Sequence, residues 1–198
     1  MNHPLSCKCG ILKGIVAHPE RVNRAICYCR DCQAFAHFLG RAGDVLDANG
    51  GTDVIQTIPA HLTFTQGQQQ LACMRLTEKG LVRWYARCCN TPIGNTAADF
   101  RLSFIGLIHN CLDYNGKSLD ASFGAVRMWS FTKGAKNPVK SRTPTMIAGI
   151  LRLIGMVVRA RVTGAYKQTP LFSPDTGVPV AVPKILSSGE RAAVYKNV

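Results

Sequence analysis

The stretch AICYCRDCQAF, residues 25–35, contains three cysteines in the pattern Cys-x-Cys-x-x-Cys. Alternate side chains of a β-strand share a face, so a strand that ends near Cys29 places Cys27 beside it, and a turn brings Cys32 back to both. Thiolates favour zinc, and a zinc with three protein ligands keeps a fourth position open for water or substrate. The stretch therefore predicts a metal centre that can do chemistry. The alternatives are small buried hydrophobic residues or a redox pair.

The other cysteines are also grouped. The chain has nine cysteines, an odd number, and seven of them fall in three tight clusters, which in a reducing compartment suggests metal ligands rather than disulfides. Two ligands cannot hold a structural zinc, so the pair Cys7 and Cys9 needs a second pair, which Cys88 and Cys89 can supply. The two remaining cysteines, Cys73 and Cys111, stand in apolar runs and are predicted to pack in the core.

Length and charge set the broad class. The chain has 198 residues, 46% of them hydrophobic, which is enough for one full domain. The segment MNHPLSCKCG at the start has no apolar run, so a cytoplasmic location is expected. The net charge is +13, of which residues 1–132 carry +4 and residues 133–198 carry +9. Such a basic segment attracts polyanions, whether nucleic acid, anionic lipid headgroups or acidic partners, and a merely solubilising surface is the alternative.

Residues 5–132 are predicted to form a mainly β domain, because short β-prone runs alternate with glycine, proline and asparagine. A short helix or turn is expected after the strand that carries Cys27, from Cys32 to Leu39. The predicted strands include Leu5–Val16, Val22–Cys29, a hairpin that delivers Cys88 and Cys89, Ser103–His109 and Ser122–Phe131.

Beyond this domain, the composition changes. Residues 133–144 form a basic, proline-bearing linker, residues 145–162 an amphipathic helix, and residues 163–198 a proline-rich tail that should run extended over the surface. The helix is too short and too charged to span a bilayer. It is expected to pack on its own β-domain or on a second subunit of a homo-oligomer, with attachment to an anionic membrane surface as the alternative.

Three motifs together resemble the family of glutathione-dependent formaldehyde-activating (GFA) enzymes and centromere protein V. They are Cys-x-Cys-Gly at residues 7–10, Cys-x-Cys-x-x-Cys at residues 27–32, and a cysteine followed by x-Thr-Pro at residues 89–92. The resemblance covers residues 5–130. It implies antiparallel sheets folded as a β-tent around one or two zinc ions. It also implies a structural zinc at Cys7, Cys9 and the late cysteines, and an active-centre zinc at Cys27, Cys29 and Cys32.

The late cysteine pair departs from the family pattern. Aligned on Thr91 and Pro92, Cys89 takes the place of the second cysteine, whereas Ala86 occupies the first place and Cys88 stands at a spacer position. Neighbouring strand residues point to opposite faces, so both cysteines can bind one metal only if the backbone turns there. The expected ligands are Cys7, Cys9, Cys89 and either Cys88 or another group, and a metal-free site held by packing is the alternative.

Two functions follow from the sequence. The resemblance implies a carbon–sulfur lyase that acts on adducts of a small thiol, such as glutathione, with an aldehyde, and Asp31, His37 and His109 are the candidate groups for proton transfer. The alternative is a non-catalytic, zinc-stabilised interaction module whose basic C-terminal part binds nucleic acid or another polyanion.

Overall fold

Two β-sheets form the body of the protein in this computed structural model, which describes residues 2–112, 118–141 and 143–198. The strands are β1 (Asn2–Ser6), β2 (Lys13–Ala17), β3 (Asn23–Cys27), β4 (Thr52–Thr57), β5 (Leu62–Gln66), β6 (Leu71–Arg75), β7 (Val82–Ala86), β8 (Thr91–Thr96), β9 (Ile105–Ile108), β10 (Met128–Ser130) and β11 (Lys184–Ile185). The helices are α1 (Arg30–Phe38), α2 (Ala42–Val45), α3 (Leu119–Phe123), α4 (Thr143–Val162) and α5 (Ser188–Tyr195).

The sheets are antiparallel except at the two edges of the larger one. The smaller sheet has the order β1-β2-β5, and the larger has the order β10-β3-β4-β9-β8-β7-β6-β11. Both edge strands, β10 and β11, come from late in the chain and pair in parallel with β3 and β6. The prediction of a mainly β fold with antiparallel sheets and a C-terminal helix is confirmed.

The core lies between the sheets and is closed by the C-terminal segment. Trp84 on β7 is fully buried, donates its indole N–H to Thr96 Oγ1 at 2.9 Å, and meets Phe172 edge-on at a ring-centroid distance of 5.6 Å. Cys73 and Cys111 are buried in apolar surroundings, as their sequence context indicates. A residue from beyond position 163 therefore completes the packing of the central β-domain.

The C-terminal tail is better ordered than its prolines suggest. Leu171 and Phe172 are buried, β11 adds a strand to the larger sheet, and α5 follows it. Helix α5 begins with a capping box, in which Ser187 accepts from the backbone of Glu190 and Glu190 accepts from the backbone of Ser187. The Ser-x-x-Glu spacing is a known start signal for a helix, so the sequence contained the cue for α5.

Two predicted strands are interrupted. The segment Leu5–Val16 is broken by a turn at the first cysteine pair, between β1 and β2. The segment Ser122–Phe131 was predicted as one strand and is not. Helix α3 ends at Phe123, Gly124 adopts φ 73°, and only Met128–Ser130 is extended. Residue 142 of the predicted linker and residues 113–117 of the predicted β-domain lie outside the described residues.

Helix α4 has nearly the predicted bounds. Within the described ranges, no helix is both long enough and apolar enough to cross a bilayer. Helix α4 instead packs along β10, β3 and β4 at one edge of the larger sheet.

Substitution of Gly94 tests the close approach of β8 and β9. A Cβ atom at this position would lie 2.7 Å from the carbonyl oxygen of Gly106, so Gly94→Ala should force the two strands apart. We expect the free energy of unfolding to fall by about 1–3 kcal/mol. Urea denaturation followed by tryptophan fluorescence measures it. Gly155→Ala on α4, where a Cβ would meet nothing within 4 Å, is the matched control and should leave stability unchanged or slightly raised. Equal stability of the two variants would contradict this account of the strand contact.

Candidate metal centres

Four cysteines from two separate turns converge on one point, which we call the four-cysteine site. Cys7 and Cys9 lie in the turn between β1 and β2, where Gly10 adopts φ 75°. Cys88 and Cys89 lie in the turn between β7 and β8. The four sulfur atoms all lie within 4.8 Å of one another. The site therefore joins the smaller sheet to the larger one.

The turn after β7 explains how adjacent cysteines reach the same point. The strand ends at Ala86, and Asn90 adopts the left-handed backbone conformation with φ 54°. Because Cys88 and Cys89 are no longer in a strand, the alternation of faces does not apply to them. Cys88, which stands at a spacer position of the GFA pattern, therefore joins the four-cysteine site. Ala86, which stands at the position of the first late cysteine in that pattern, is buried in the core.

The sulfur separations fit a tetrahedral metal. Cys7 Sγ lies 3.5 Å from Cys9 Sγ and 3.7 Å from Cys88 Sγ, and Cys9 and Cys88 are 3.3 Å apart. Four thiolates about 2.3 Å from a tetrahedral zinc would be about 3.8 Å apart, whereas a disulfide needs about 2.05 Å. Cysteine sulfurs at this spacing can hold a metal ion, and the donor set is compatible with zinc.

Backbone and side-chain donors surround the four-cysteine site. The Leu12 amide donates to Cys7 Sγ at 3.3 Å, and Thr91 Oγ1 lies 3.1 Å from Cys89 Sγ. Burial raises the pKa of Cys89, but hydrogen bonds from Thr91 and Cys9 outweigh it and bring the pKa to about 6. Arg41 Nη2 donates to the Cys89 carbonyl at 2.6 Å, which fixes the turn. Such outer contacts orient metal ligands.

Cys27, Cys29 and Cys32 form a second cluster, the three-cysteine centre. Cys27 is the last residue of β3, and Cys29 caps the start of α1 by accepting from the Cys32 amide at 3.3 Å. Cys32, in the first turn of α1, lies with its sulfur 3.8 Å from that of Cys27. The predicted convergence of these thiols is present, although α1 rather than a simple turn returns Cys32 to the others.

The two clusters differ in ligand number and exposure. Among the described residues, no further cysteine, histidine or carboxylate joins the three-cysteine centre. Cys32 is buried, but Cys27 and Cys29 are only partly buried. Three protein ligands at a partly exposed position are typical of a metal that keeps a place for water or substrate, whereas four ligands close a structural site.

Arg83 is a buried cation beside the three-cysteine centre that the sequence interpretation did not identify. It is 2% exposed, donates to Asn95 Oδ1 at 3.1 Å, and lies 3.6 Å from Asp31 Oδ2. Hydrogen bonds from Cys27 and Cys29, reinforced by the charge of Arg83 and a hydrogen bond from it, hold the pKa of Cys32 well below its usual value. The one available cue was an arginine inside the apolar strand β7.

The C-terminal helix closes over the same region. The Tyr195 hydroxyl donates to Asp31 Oδ1 at 2.5 Å, and the Arg30 guanidinium lies 5.4 Å from the centre of the Tyr195 ring. On the other side, Gln33 Nε2 donates to the carbonyls of Tyr28 and Gly134. Segments before and after α4 therefore both frame the three-cysteine centre.

Of the predicted proton-transfer groups, Asp31 is the one that the structure places in contact with this framework. His37 lies on α1, five residues after Cys32. His109 is partly buried in a short 3-10 turn against β4, where burial lowers its pKa despite the nearby charge of Asp53.

Comparisons with known proteins place the chain in a family whose function is unknown. The sequence model described as "Family of unknown function (DUF6151)" matches residues 1–183. No curated protein matches the chain. Among solved structures, the chain is similar to a Rhodobacter sphaeroides protein determined by structural genomics, with 16% identity and a TM-score of 0.41. That match covers 64% of this chain and 99% of the other. A TM-score of this size does not establish a common fold.

Metal analysis tests both clusters directly. We expect two metal ions per chain by inductively coupled plasma mass spectrometry on protein purified without added metal. The Cys7→Ser/Cys88→Ser variant should lose one ion and melt at a lower temperature, because the site joins the two sheets. The Cys27→Ala/Cys29→Ala/Cys32→Ala variant should lose the other ion. Cys73→Ala, a buried cysteine outside both clusters, should keep two. A wild-type protein that holds one ion, or none, would contradict the assignment of two sites.

Substitution of Arg83 tests its electrostatic role. Arg83→Met keeps an unbranched, apolar side chain in the buried position but leaves the Cys32 thiolate without its cation. We expect metal affinity at the three-cysteine centre to fall about 10–100-fold, as for other outer contacts of metal ligands, with the four-cysteine site unaffected. Competition with a chromogenic chelator measures both sites. Arg101→Gln, an exposed arginine, is the control and should leave both affinities unchanged. Unchanged affinity in Arg83→Met would assign Arg83 to packing alone.

Proposed function

Because the chain belongs to the DUF6151 family, whose function is unknown, we propose from its own residues that it is a zinc-dependent, carbon–sulfur lyase-like enzyme. Its substrates would be adducts of a small thiol, such as glutathione, with an aldehyde. The observation that carries the proposal is a partly exposed centre of three thiols, in addition to a separate cluster of four. The resemblance of the cysteine motifs to the GFA family supports the same chemistry.

The cysteines would hold zinc in two different ways. Cys7, Cys9, Cys88 and Cys89 would form a closed structural site, and Cys27, Cys29 and Cys32 would hold an ion with one open position. Zinc in the open site would supply Lewis-acid character and stabilise a substrate sulfur as thiolate.

The surrounding residues would control charge around the reacting sulfur. Three thiolates give the centre a net negative charge even with a divalent metal, and Arg83 compensates it from the buried side. The exposed cations Arg30 and Lys133 flank the same region, since Arg30 begins α1 and Lys133 precedes the Gly134 that contacts α1 through Gln33. They are suited to hold the carboxylates of a glutathione-like substrate.

The reaction also needs a proton. When the thiolate sulfur attacks the aldehyde carbon, a carbon–sulfur bond forms, the carbonyl π electrons move to oxygen, and that oxygen takes up a proton; cleavage is the reverse. Burial, together with the hydrogen bond to Asp31, raises the pKa of Tyr195 to about 12, so its hydroxyl is protonated at neutral pH. The pair of Tyr195 and Asp31 is our candidate for carrying this proton.

The test is exchange between formaldehyde and glutathione, followed by NMR at chemical equilibrium. Wild-type protein should accelerate exchange over the uncatalysed rate, and Cys27→Ala/Cys29→Ala/Cys32→Ala should abolish the acceleration. Tyr195→Phe should slow it about 100-fold, within the usual range for loss of a proton-transfer group, while retaining both metals. Cys73→Ala is the control with full activity.

Absence of acceleration by fully metal-loaded wild-type protein, with formaldehyde and larger aldehydes alike, would overturn the proposal. The non-catalytic interaction module would then be the remaining function for a metal-stabilised domain of this kind. Acceleration that survives in the triple alanine variant would equally contradict a role for the three-cysteine centre.

A further inference from the structure

The buried positions of helix α4 are small residues, whereas six of its large aliphatic side chains face outward. Gly149 and Ala160 are its buried positions, and a Cβ on Gly149 would lie 3.0 Å from Met128 Sδ. The outward side chains are between 44% and 81% exposed, and except for the adjacent Ile150 and Leu151 they follow one another at intervals of three or four residues. These side chains, which we call the α4 ridge, are Ile147, Ile150, Leu151, Ile154, Val158 and Val162.

This arrangement is the reverse of an ordinary surface helix, which turns its apolar stripe to the core. The ridge is also continuous with the β-domain. Leu102, 57% exposed, lines one groove together with Val158 and Val162. A contiguous apolar surface of this kind on a folded protein marks a binding surface.

Basic grooves border the ridge on its sides. One groove, with a volume of about 850 Å³, is lined by Arg127, Lys140 and Arg152 beside Trp129. The cations of the other two grooves are Arg21, Arg101, Arg152, Arg159 and Arg161.

Acidic groups scarcely offset this charge. Helix α4 contains no aspartate or glutamate. In the grooves of the described ranges that border the ridge, Asp99 is the acidic lining residue, and it is already paired with Arg101 at 3.0 Å. A binding partner that fits this surface must therefore present both an apolar region and negative charge.

We propose that the α4 ridge and its basic borders bind an anionic membrane surface. The aliphatic side chains would enter the boundary between headgroups and acyl chains, while the flanking arginines and Lys140 contact lipid phosphates. A helix of 20 residues is about 30 Å long, so α4 can lie in the membrane plane along its whole length.

The charges and side-chain types disfavour the other occupants. A second copy of the chain would place one basic helix against another, with Arg152 and Arg159 near their counterparts and no carboxylate on α4 to pair with them. Nucleic acid would satisfy the cations but leave the aliphatic ridge uncovered, and aliphatic side chains do not stack on bases as aromatic ones do. A lipid surface matches both parts.

Vesicle flotation tests the proposal with the full-length, metal-loaded protein. Wild-type protein should float with vesicles of phosphatidylcholine mixed with phosphatidylglycerol, not with phosphatidylcholine alone, and added salt should weaken binding. Leu151→Ser/Ile154→Ser should lower the affinity at least about tenfold, because two exposed aliphatic side chains no longer enter the membrane. Arg152→Gln/Arg159→Gln should lower it about fivefold for each arginine removed.

Matched controls separate the ridge from general surface properties. Val182→Ser removes an aliphatic side chain that is 94% exposed elsewhere, and Lys79→Gln removes an exposed cation on a distant turn. Both should bind anionic vesicles as the wild type does. Because all substituted residues are exposed, circular dichroism should show unchanged folding in every variant.

Three results would overturn the proposal. The first is absence of wild-type binding to anionic vesicles. The second is binding that Leu151→Ser/Ile154→Ser leaves intact, which would show charge attraction without insertion. The third is a wild-type dimer in light scattering that Leu151→Ser/Ile154→Ser converts to a monomer, which would assign the ridge to a second copy. Each result is independent of aldehyde chemistry, so failure here leaves the proposed enzyme activity unaffected.

Discussion

The convergence of four thiols between two hairpin turns is the constraint on which the fold depends. Cys7 and Cys9 belong to the smaller sheet, and Cys88 and Cys89 belong to the larger one. The sulfur atoms lie 3.3–3.9 Å apart, and as thiolates they could share this space with a cation that neutralises them, so the spacing is compatible with a bound metal. A metal at this point would fix how the sheets meet, and the core around Trp84 then fills the space between them.

The three-cysteine centre differs from the four-cysteine site in how it relates to the fold. It draws all its ligands from one short segment, so it adds little to the closure of the fold. Charged and polar side chains that can alter the charge of the thiols surround it instead. A buried guanidinium faces Cys32, and its carboxylate partner Asp31 is 53% exposed and shared with Tyr195. Burial of an arginine is costly unless it is paired, and Asn95, Asp31 and the thiolate together provide the pairing for Arg83. One cluster thus draws its cysteines from two sheets, whereas the other lies within one segment and is partly exposed.

The sequence predicted the parts of this arrangement that depend on local spacing. The period of two placed Cys27 with Cys29, and apolar runs predicted burial of Cys73 and Cys111. The sequence predicted Cys89 as a partner of Cys7 and Cys9 but left Cys88 open, because spacing alone does not show that the chain leaves the strand at Ala86 and turns through a left-handed Asn90. Arg83 could not be assigned either. Its neighbour along the chain is Trp84, whereas its functional neighbour Cys32 is brought near only by the packing of α1 on the larger sheet. The prediction for the tail did not include β11 and α5, because its prolines outweighed the single capping signal at Ser187.

The C-terminal segment connects the two surfaces on which the proposals rest. Strand β10 pairs in parallel with β3, so that Met128 lies opposite Ala25 and Ser130 opposite Cys27. Helix α4 packs on Met128 through Gly149, two residue pairs from the three-cysteine centre. Parallel edge pairing of only three residues is weak by itself, and α4 covers it from outside. Because α5 contacts Asp31 on the other side of the centre, residues beyond position 132 frame the three cysteines from both directions and belong to the same folded unit as the β-domain.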